Sequence, residues 1–373
     1  MELYMKKLNL FAPINSLGYG VVGLNLLKVL SQKLDVALSL IGATNTPETN
    51  VQIVQDSINK FHLFDGYSDA PCLKVWHEFA LAERVGNGPY FAFPFFEINV
   101  LDQKRINHLS SMDGIIVASE WAKDIIINSA KISTPVFVVP VGVDTDIFKH
   151  GPHTVTDKCV FLNCGKWEKR KGHDLLLSMF QKAFPNDQDV ELQMMPSNPF
   201  LSDKLRHEWE RYYTNDSRVK LWDRVQTHEE VAKIMSTANC GIFPSRAEGW
   251  NLELLEMMSM GKHIIATNYS AHTQFCTDKN SRLIEIYDME PAQDGVFFKE
   301  SSAQWASLEG VPFEQGVTYL KEFYTQWKSD HAIINEEGIK TAKELSWTNT
   351  ANKLEEVIYG NQSAEIDQVG QNA

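Results

Sequence analysis

Short apolar runs bounded by turn residues alternate with amphipathic stretches from one end of the chain to the other. In the first half the runs fall at 8–14, 36–41, 72–76, 90–95, 114–118 and 136–139. The second half repeats the rhythm at 159–163, 190–195, 219–221, 241–243, 263–267 and 282–284. Each run has strand length, and the stretches between them, such as 21–32, 121–129 and 252–260, carry helical patterns. The β–α alternation predicts parallel sheets covered by helices on both faces. The pattern lapses at 149–157, which is rich in Pro, Gly and Thr. A boundary there gives an N-terminal domain, 1–148, and a C-terminal domain, 149–348. An amphipathic helix follows over about 349–360, and the polar residues 361–373 are expected to fray. No internal repeat of short period is present.

Composition narrows the class. With 373 residues, 43% of them hydrophobic and 22% charged, the chain has material for two cores. A net charge of −13, from 35 basic and 48 acidic residues, argues against a nucleic-acid surface. The five cysteines (Cys72, Cys159, Cys164, Cys240, Cys276) are scattered without a C-x-x-C pair, so neither a zinc ribbon nor a disulfide framework is expected. A reducing compartment is the simplest reading. Lys6-Lys7 before 8–14 imitates a signal peptide, but that run is short and broken by Asn9 and Pro13. No stretch reaches 18 apolar residues, so no spanning helix is expected. The reading is cytoplasmic, with room for peripheral contact at the inner membrane face; no basic amphipathic helix for such contact stands out.

The densest chemistry lies in Pro244-Ser245-Arg246-Ala247-Glu248-Gly249-Trp250-Asn251-Leu252 and the helical pattern after it. Glu248 sits in the loop past a strand and Glu256 on the following helix. At about 1.5 Å per residue the two carboxylates lie within roughly 12 Å, a span that suits an elongated polyhydroxyl ligand. Glu253 is expected on a different face, as a solvated charge. A second cluster, Gly165-Lys166-Trp167-Glu168-Lys169-Arg170-Lys171-Gly172, closes the first strand of the C-terminal half. Cations at the carboxyl end of a strand, beside a helix start, suit a diphosphate. Lys166 and Lys171 are the candidates, with Lys169 and Arg170 expected in solvent.

Gly18-Tyr19-Gly20-Val21-Val22-Gly23 satisfies G-x-G-x-x-G after the first strand. A dinucleotide site also wants an acidic residue at the end of the second strand, and 39–44 has none. A ligand-facing turn is the better reading. Asp144-Thr145-Asp146 has the D-x-D form of some metal-holding transferases, but a turn or cap role is favoured, and no metal is predicted. His77 and Glu97 follow N-terminal strands, where either could supply a polar group near a reacting centre.

Together these residues resemble the retaining GT-B glycosyltransferases, specifically glycosyltransferase family 4. Glu248 through Glu256 and Gly261 look like that family's E-x7-E signature. Gly165-Lys166 and Lys171-Gly172 stand where the family has Gly-Arg and Lys-Gly, so a lysine replaces the arginine and its bidentate fork. The segments 117–121 and 139–144, and Ser346-Trp347 before the last helix, are also similar.

The resemblance implies an α/β fold of two Rossmann-like doubly wound domains facing across a cleft, with the last helix completing the N-terminal one. It implies a nucleotide-sugar donor on the C-terminal domain and a glycan, lipid-linked or small-molecule hydroxyl acceptor, with no cofactor. Glu248 would contact donor-sugar hydroxyls and Glu256 the ribose. Lys166 and Lys171 would neutralise the diphosphate, with Gly165, Gly249, Trp250, Asn251 and Leu252 completing the donor site. Gly18, Tyr19, Gly20 and His77 would serve the acceptor side. Asn251 stands where many relatives carry glycine. Where many relatives place a histidine this chain has Glu97, with His77 the second candidate. Two other readings stay open: a nucleotide-sugar-binding protein of the same fold that has lost turnover, and an NAD-dependent oxidoreductase.

Overall fold

A computed structural model describes residues 5–46, 48–151, 157–299 and 302–369. The twelve expected strands all form. They are β1 (Lys7–Ala12), β2 (Asp35–Leu40), β3 (Cys72–Lys74), β4 (Tyr90–Ala92), β5 (Gly114–Val117), β6 (Val136–Val138), β7 (Cys159–Cys164), β8 (Val190–Met195), β9 (Val219–Leu221), β10 (Cys240–Phe243), β11 (His263–Thr267) and β12 (Arg282–Ile284). The first six make one sheet in the order β2-β1-β3-β4-β5-β6 and the second six another, β12-β11-β10-β7-β8-β9. Every pairing within both sheets is parallel. A short antiparallel pair, β13 (Met289–Pro291) and β14 (Gln304–Ala306), was not foreseen in the sequence. The pair falls outside the β–α alternation, and Pro291 counts against a strand when that segment is read in sequence.

The helices are α1 (Gly18–Leu30), α2 (Val51–Phe64), α3 (Gln103–Ser110), α4 (Glu120–Ala130), α5 (His173–Ala183), α6 (Asp203–Tyr213), α7 (His228–Ser236), α8 (Leu252–Ser259), α9 (Val311–Ser329), α10 (Glu336–Glu344) and α11 (Trp347–Val369). The last runs beyond the expected 349–360, since the stretch to 369 holds no proline and only Gly360 to interrupt it.

Two compact units result. Unit one comprises Met1–Phe96, Leu101–Gly142 and Leu345–Ala373; unit two comprises Glu97–Val100 and Val143–Glu344. Within unit one, α11 returns to pack on α1, and the Tyr359 hydroxyl donates to the Lys7 carbonyl at 2.9 Å. Within unit two, α5 and α9 pack together on one side of the sheet and α8 and α10 pair with each other. Central strands in such a layered sheet are apolar throughout, because both faces are covered. Accordingly β7 and β10 are buried along their whole length.

Strand order fixes where chemistry can gather. In unit two the order reverses between β7 and β10, and in unit one between β1 and β3. At such a switch point the loops leaving the two strands diverge and open a crevice at their carboxyl ends. The lysine-rich segment follows β7 and the Glu248 segment follows β10, so two distant stretches of sequence meet there. All five cysteines are free and buried, four of them on strands.

The core of unit two centres on Phe161 of β7, which meets Phe184 and Phe323 at ring-centroid distances of 5.6 and 5.7 Å. Phe161→Ala is expected to lower stability by about 3–5 kcal/mol through the cavity left among these rings. Urea unfolding of the intact chain, followed by tryptophan fluorescence, checks the value.

Candidate functional site

The loop after β7 is shaped by its glycines and a buried histidine. Gly165 has φ +134°, and a Cβ there would lie 2.8–2.9 Å from the end of the Lys171 side chain. Only glycine lets that ammonium fold back over the loop. The Glu168 N–H meets His173 Nδ1 at 3.3 Å, and His173 Nε2 lies 2.8 Å from Asn163 Oδ1. The Asn163 amide donates in turn to the Ile242 carbonyl of β10 at 2.6 Å. This chain of contacts assigns the ring proton to Nε2 and ties the cationic loop to both central strands.

Glu248 is the hub of the site. Its Oε1 accepts from Lys171 Nζ at 2.9 Å and from the Ser245 hydroxyl at 2.8 Å. Its Oε2 accepts from Arg170 Nη1 at 2.8 Å. Burial by itself would raise this carboxyl, yet Arg170 and Lys171 outweigh it and hold Glu248 well below the usual carboxylate range. The backbone is fixed as firmly: the Glu248 N–H donates to the Ser270 hydroxyl at 2.8 Å, and the Ala271 N–H donates to the Glu248 carbonyl at 3.2 Å.

Arg170 corrects the sequence reading. Expected in solvent, it is 4% exposed and reaches Glu168 at 2.7 Å, Glu248 at 2.8 Å and the Ala247 carbonyl at 2.7 Å. In the single turn Lys169–Lys171, successive side chains cannot all face outward; Lys169 takes the outer position and pairs with Glu290 at 3.3 Å. Lys166 is 39% exposed and sits 3.1 Å from Glu168. Around this core runs a second ionic layer, in which buried Arg246 pairs with Asp174 at 2.6 Å and Glu290 at 2.9 Å.

Glu97 belongs with this group. Although it follows a strand of unit one in sequence, the segment Glu97–Val100 is part of unit two. The Trp305 indole donates to the Glu97 carbonyl at 2.8 Å, and the carboxylate is 4.0 Å from Arg170. Burial pushes the Glu97 carboxyl up; Arg170 opposes that shift, and nearby Glu168 and Glu248 add to it.

Beyond Glu248, Gly249 and Trp250 are buried, and the Trp250 ring packs 4.7 Å from Phe275. Asn251 caps α8 and Leu252 begins it. Glu256 is buried on α8, and burial, with Glu253 and Asp144 nearby, pushes its carboxyl well above the ordinary range. Glu253 is a second correction: it is half-buried and close enough to act on both Glu256 and Lys171. Residues three apart on a helix share a face, so 253 and 256 are neighbours.

Gly18, Tyr19, Gly20 and His77 lie in unit one, at its own switch point. A Cβ on Gly20 would sit 2.3–2.4 Å from Asn15, so the turn into α1 requires glycine there, whereas Gly18 meets nothing within 4 Å. The Tyr19 hydroxyl donates to the Phe95 carbonyl and accepts from the Phe95 N–H, each at 2.9 Å. Its ring lies edge-on to His77 at 4.6 Å, and His77 stacks on Phe79 at 4.9 Å. Asp144 Oδ1 accepts from the N–H groups of Asp146 (3.1 Å) and Ile147 (3.3 Å), which is a turn-capping role. Among the described residues no group of three His, Cys, Asp or Glu could hold a metal ion, and no helix is long and apolar enough to cross a membrane.

Residues 158–295 match the family described as Glycosyl transferases group 1, a segment that contains Lys166, Arg170, Lys171, Glu248 and Glu256 but not Glu97 or Asp144. Over its whole length the chain resembles sucrose-phosphate synthase from Thermosynechococcus elongatus, with TM-score 0.68, 15% identity and coverage of 96% of this chain and 100% of that one. It also resembles HepE of Anabaena, solved with UDP and glucose, with TM-score 0.66, 16% identity and coverage of 95% and 99%. The chain has the GT-B fold. In sequence the chain is similar to the MMP alpha-(1->4)-mannosyltransferase of Mycolicibacterium hassiacum, 27% identical over 166 residues, or 42% of this chain. The chain spans 37% of the length of that relative, and 44% of a putative glycosyltransferase of a Sulfolobus islandicus filamentous virus that is 21% identical over 165 residues.

Two buried histidines give this GT-B chain a pH signature. Burial lowers His173 to about 3 and His272 to about 4, so both are neutral in the folded protein. Unfolding returns them to about 6.5, and the unfolded state then binds more protons. Their contribution to stability is complete above about pH 6.5 and is lost as pH falls towards 4. The raised carboxyls of Glu97 and Glu256 work in the opposite direction. The informative quantity is therefore the difference between His173→Gln/His272→Gln and the parent in thermal melts from pH 7 to 4.5. The gap in melting temperature should narrow as pH falls; a constant gap would contradict the neutral assignment.

Proposed function

We propose that the chain is a retaining glycosyltransferase of family 4, moving a sugar from a nucleoside-diphosphate-sugar to a hydroxyl acceptor without a metal ion. The observation that carries this reading is the Lys171–Glu248–Arg170 cluster at the carboxyl ends of β7 and β10, with the buried carboxyl of Glu256 on the next helix. The match of 158–295 to a glycosyltransferase family and the likeness to HepE, solved with UDP and glucose, support it.

In this reading the diphosphate lies against Lys166, Lys171 and the N–H groups opening α8, where a helix start favours anions. Lys171 spends one of its three donors on Glu248 and keeps two for phosphate oxygens. Glu248 takes a donor-sugar hydroxyl and Glu256 the ribose hydroxyls. In the reaction the anomeric carbon–phosphate oxygen bond breaks, and the acceptor oxygen bonds to the same face of that carbon. The acceptor proton passes to the departing phosphate oxygen, so no protein base is required. Fixed cations at the leaving group supply the charge stabilisation. The acceptor, a glycan, a lipid-linked sugar or a small alcohol, is assigned to the Gly18-Tyr19-Gly20 turn and His77 of unit one.

The binding-only reading keeps Glu248 and Lys171 but predicts no turnover. The oxidoreductase reading leaves their cluster unused. A mass-spectrometric screen of UDP-, GDP- and ADP-sugars with simple alcohol and glycan acceptors separates the three. Glycosylated product from one donor is expected, and stabilisation by NAD alone would overturn the proposal. Glu248→Gln and Lys171→Ala should each lower kcat on the order of 10²–10³-fold, the scale for removing one preorganised electrostatic contact. Breaking a buried pair also costs about 3–5 kcal/mol of stability, so both variants are assayed below their melting temperatures. Glu256→Gln should raise the KM for donor more than it lowers kcat. Unchanged turnover in all three would remove these residues from the site.

A further inference from the structure

Among the described residues four non-glycine positions have positive φ: Asp65, Lys131, Asn251 and Ser270. Asp65 and Lys131 end helices, where a left-handed residue is ordinary. The other two are different. Asn251 (φ 90°, ψ 78°) and Ser270 (φ 54°) lie on facing loops, after β10 and β11, and both loops touch Glu248. Left-handed backbone is unfavourable for a side-chain-bearing residue, although asparagine tolerates it better than most, so something must hold each in place.

For Asn251 the restraint is visible. Its Oδ1 accepts from the Leu254 N–H at 3.1 Å, the N-cap bond of α8, and this fixes which end of the amide is nitrogen. The Nδ2 end then faces His272 Nε2 at 2.9 Å. An amide N–H₂ there requires Nε2 to be the acceptor, which places the ring proton on Nδ1, 3.1 Å from the Thr267 carbonyl. Thr267 closes the circuit by donating its hydroxyl to the Ser245 carbonyl at 2.6 Å, three residues before Glu248. The stretch from Thr267 to His272 is thus bolted to the Glu248 loop at both ends of that loop and at its middle.

We propose that His272 is a positioning residue: by accepting the Asn251 amide it holds residue 251 in its left-handed conformation, and so sets the aim of Glu248 and of the start of α8. Asn251 and His272 act as a pair that replaces the freedom a glycine would have at position 251. His272 is 0% exposed and takes its place through Asn251, so it is not a catalytic residue. The functional consequence rests on the donor-site reading given above; the lock itself does not.

The test is a four-member cycle of the parent, His272→Ala, Asn251→Gly and the double variant, read by thermal melting and by calorimetric titration with UDP. His272→Ala should lower the melting temperature and weaken UDP on the order of tenfold, the scale of coupling between contacting residues. Adding Asn251→Gly should raise the melting temperature of His272→Ala but not of the parent, and should recover at least half of the lost UDP affinity on a logarithmic scale. A glycine adopts φ 90° unaided. Equal effects of Asn251→Gly in both backgrounds would overturn the lock. A coupled melting cycle without recovery of UDP affinity would overturn the positioning role. If the parent binds no UDP, the titrations are run with GDP and ADP; binding of none of the three overturns the donor reading alone, and the melting cycle still decides the lock. Should His272→Ala not fold, His272→Gln, whose amide oxygen keeps an acceptor, takes its place with a smaller expected loss of UDP affinity.

Discussion

Glu248 carries a full negative charge where little water reaches it, and the two cations that make this possible come from a turn 77 and 78 residues away in sequence. Removing a carboxylate and its partners from water is expensive, and their mutual attraction repays the cost only when geometry is good and the remaining hydrogen-bonding capacity is used. Here it is used. Ser245, the Ala247 carbonyl and Glu168 take up donors and acceptors that would otherwise face an apolar interior. Arg246, Asp174 and Glu290 form an outer ionic ring on the same loops. The fold supplies the meeting place, because β7 and β10 are neighbours only through the reversal of strand order between them.

This dependence explains which parts of the molecule were legible in sequence. Strand positions follow from short apolar runs, a local signal, and all twelve sheet strands could be placed from them. The pair Lys171 and Glu248 was legible because each lies in the segment that follows a strand at the switch point. Arg170 was not. Its burial depends on the three carboxylates Glu97, Glu168 and Glu248 converging on one turn, and no spacing along the chain announces that. Glu253 was misjudged for a local reason, since i and i+3 on one helix are neighbours. His173 and His272 carry no sequence signal beyond being histidines after a loop; their roles come from the asparagines that face them.

Glu97 illustrates the other limit of one-dimensional reading. Its place after β4 assigns it to the N-terminal half, and the compact unit it joins is the other one, through Trp305 and Arg170, with the Gln304 N–H donating to its neighbour Asn99. Chain order alone could not show this, because the chain enters unit two for only Glu97–Val100 before returning. The antiparallel pair that receives it, β13 and β14, was itself invisible in the sequence.

The two glutamates that dominate the sequence motif end in opposite electrostatic states, and the difference bears on their chemistry. Glu248 is held ionised by Arg170 and Lys171; Glu256, beside Glu253 and Asp144, is pushed towards the neutral acid. Such a split pair is also what a glycoside hydrolase uses, one carboxyl as acid and the other as nucleophile or base. Saturation argues against that role for Glu248. A carboxylate has about four lone-pair sites, and three are taken by Lys171, Ser245 and Arg170. An oxygen so engaged is a poor nucleophile and a poor base, since both tasks need a free lone pair of high energy. One site on Oε2 remains, enough to accept a single hydroxyl hydrogen. In the proposed donor site Glu256, which burial and its neighbours push towards the acid form that donates as well as accepts, suits a pair of vicinal hydroxyls. Within the proposed glycosyl transfer, the asymmetry therefore favours a division of labour in holding a polyhydroxyl ligand over an acid–base couple acting on it.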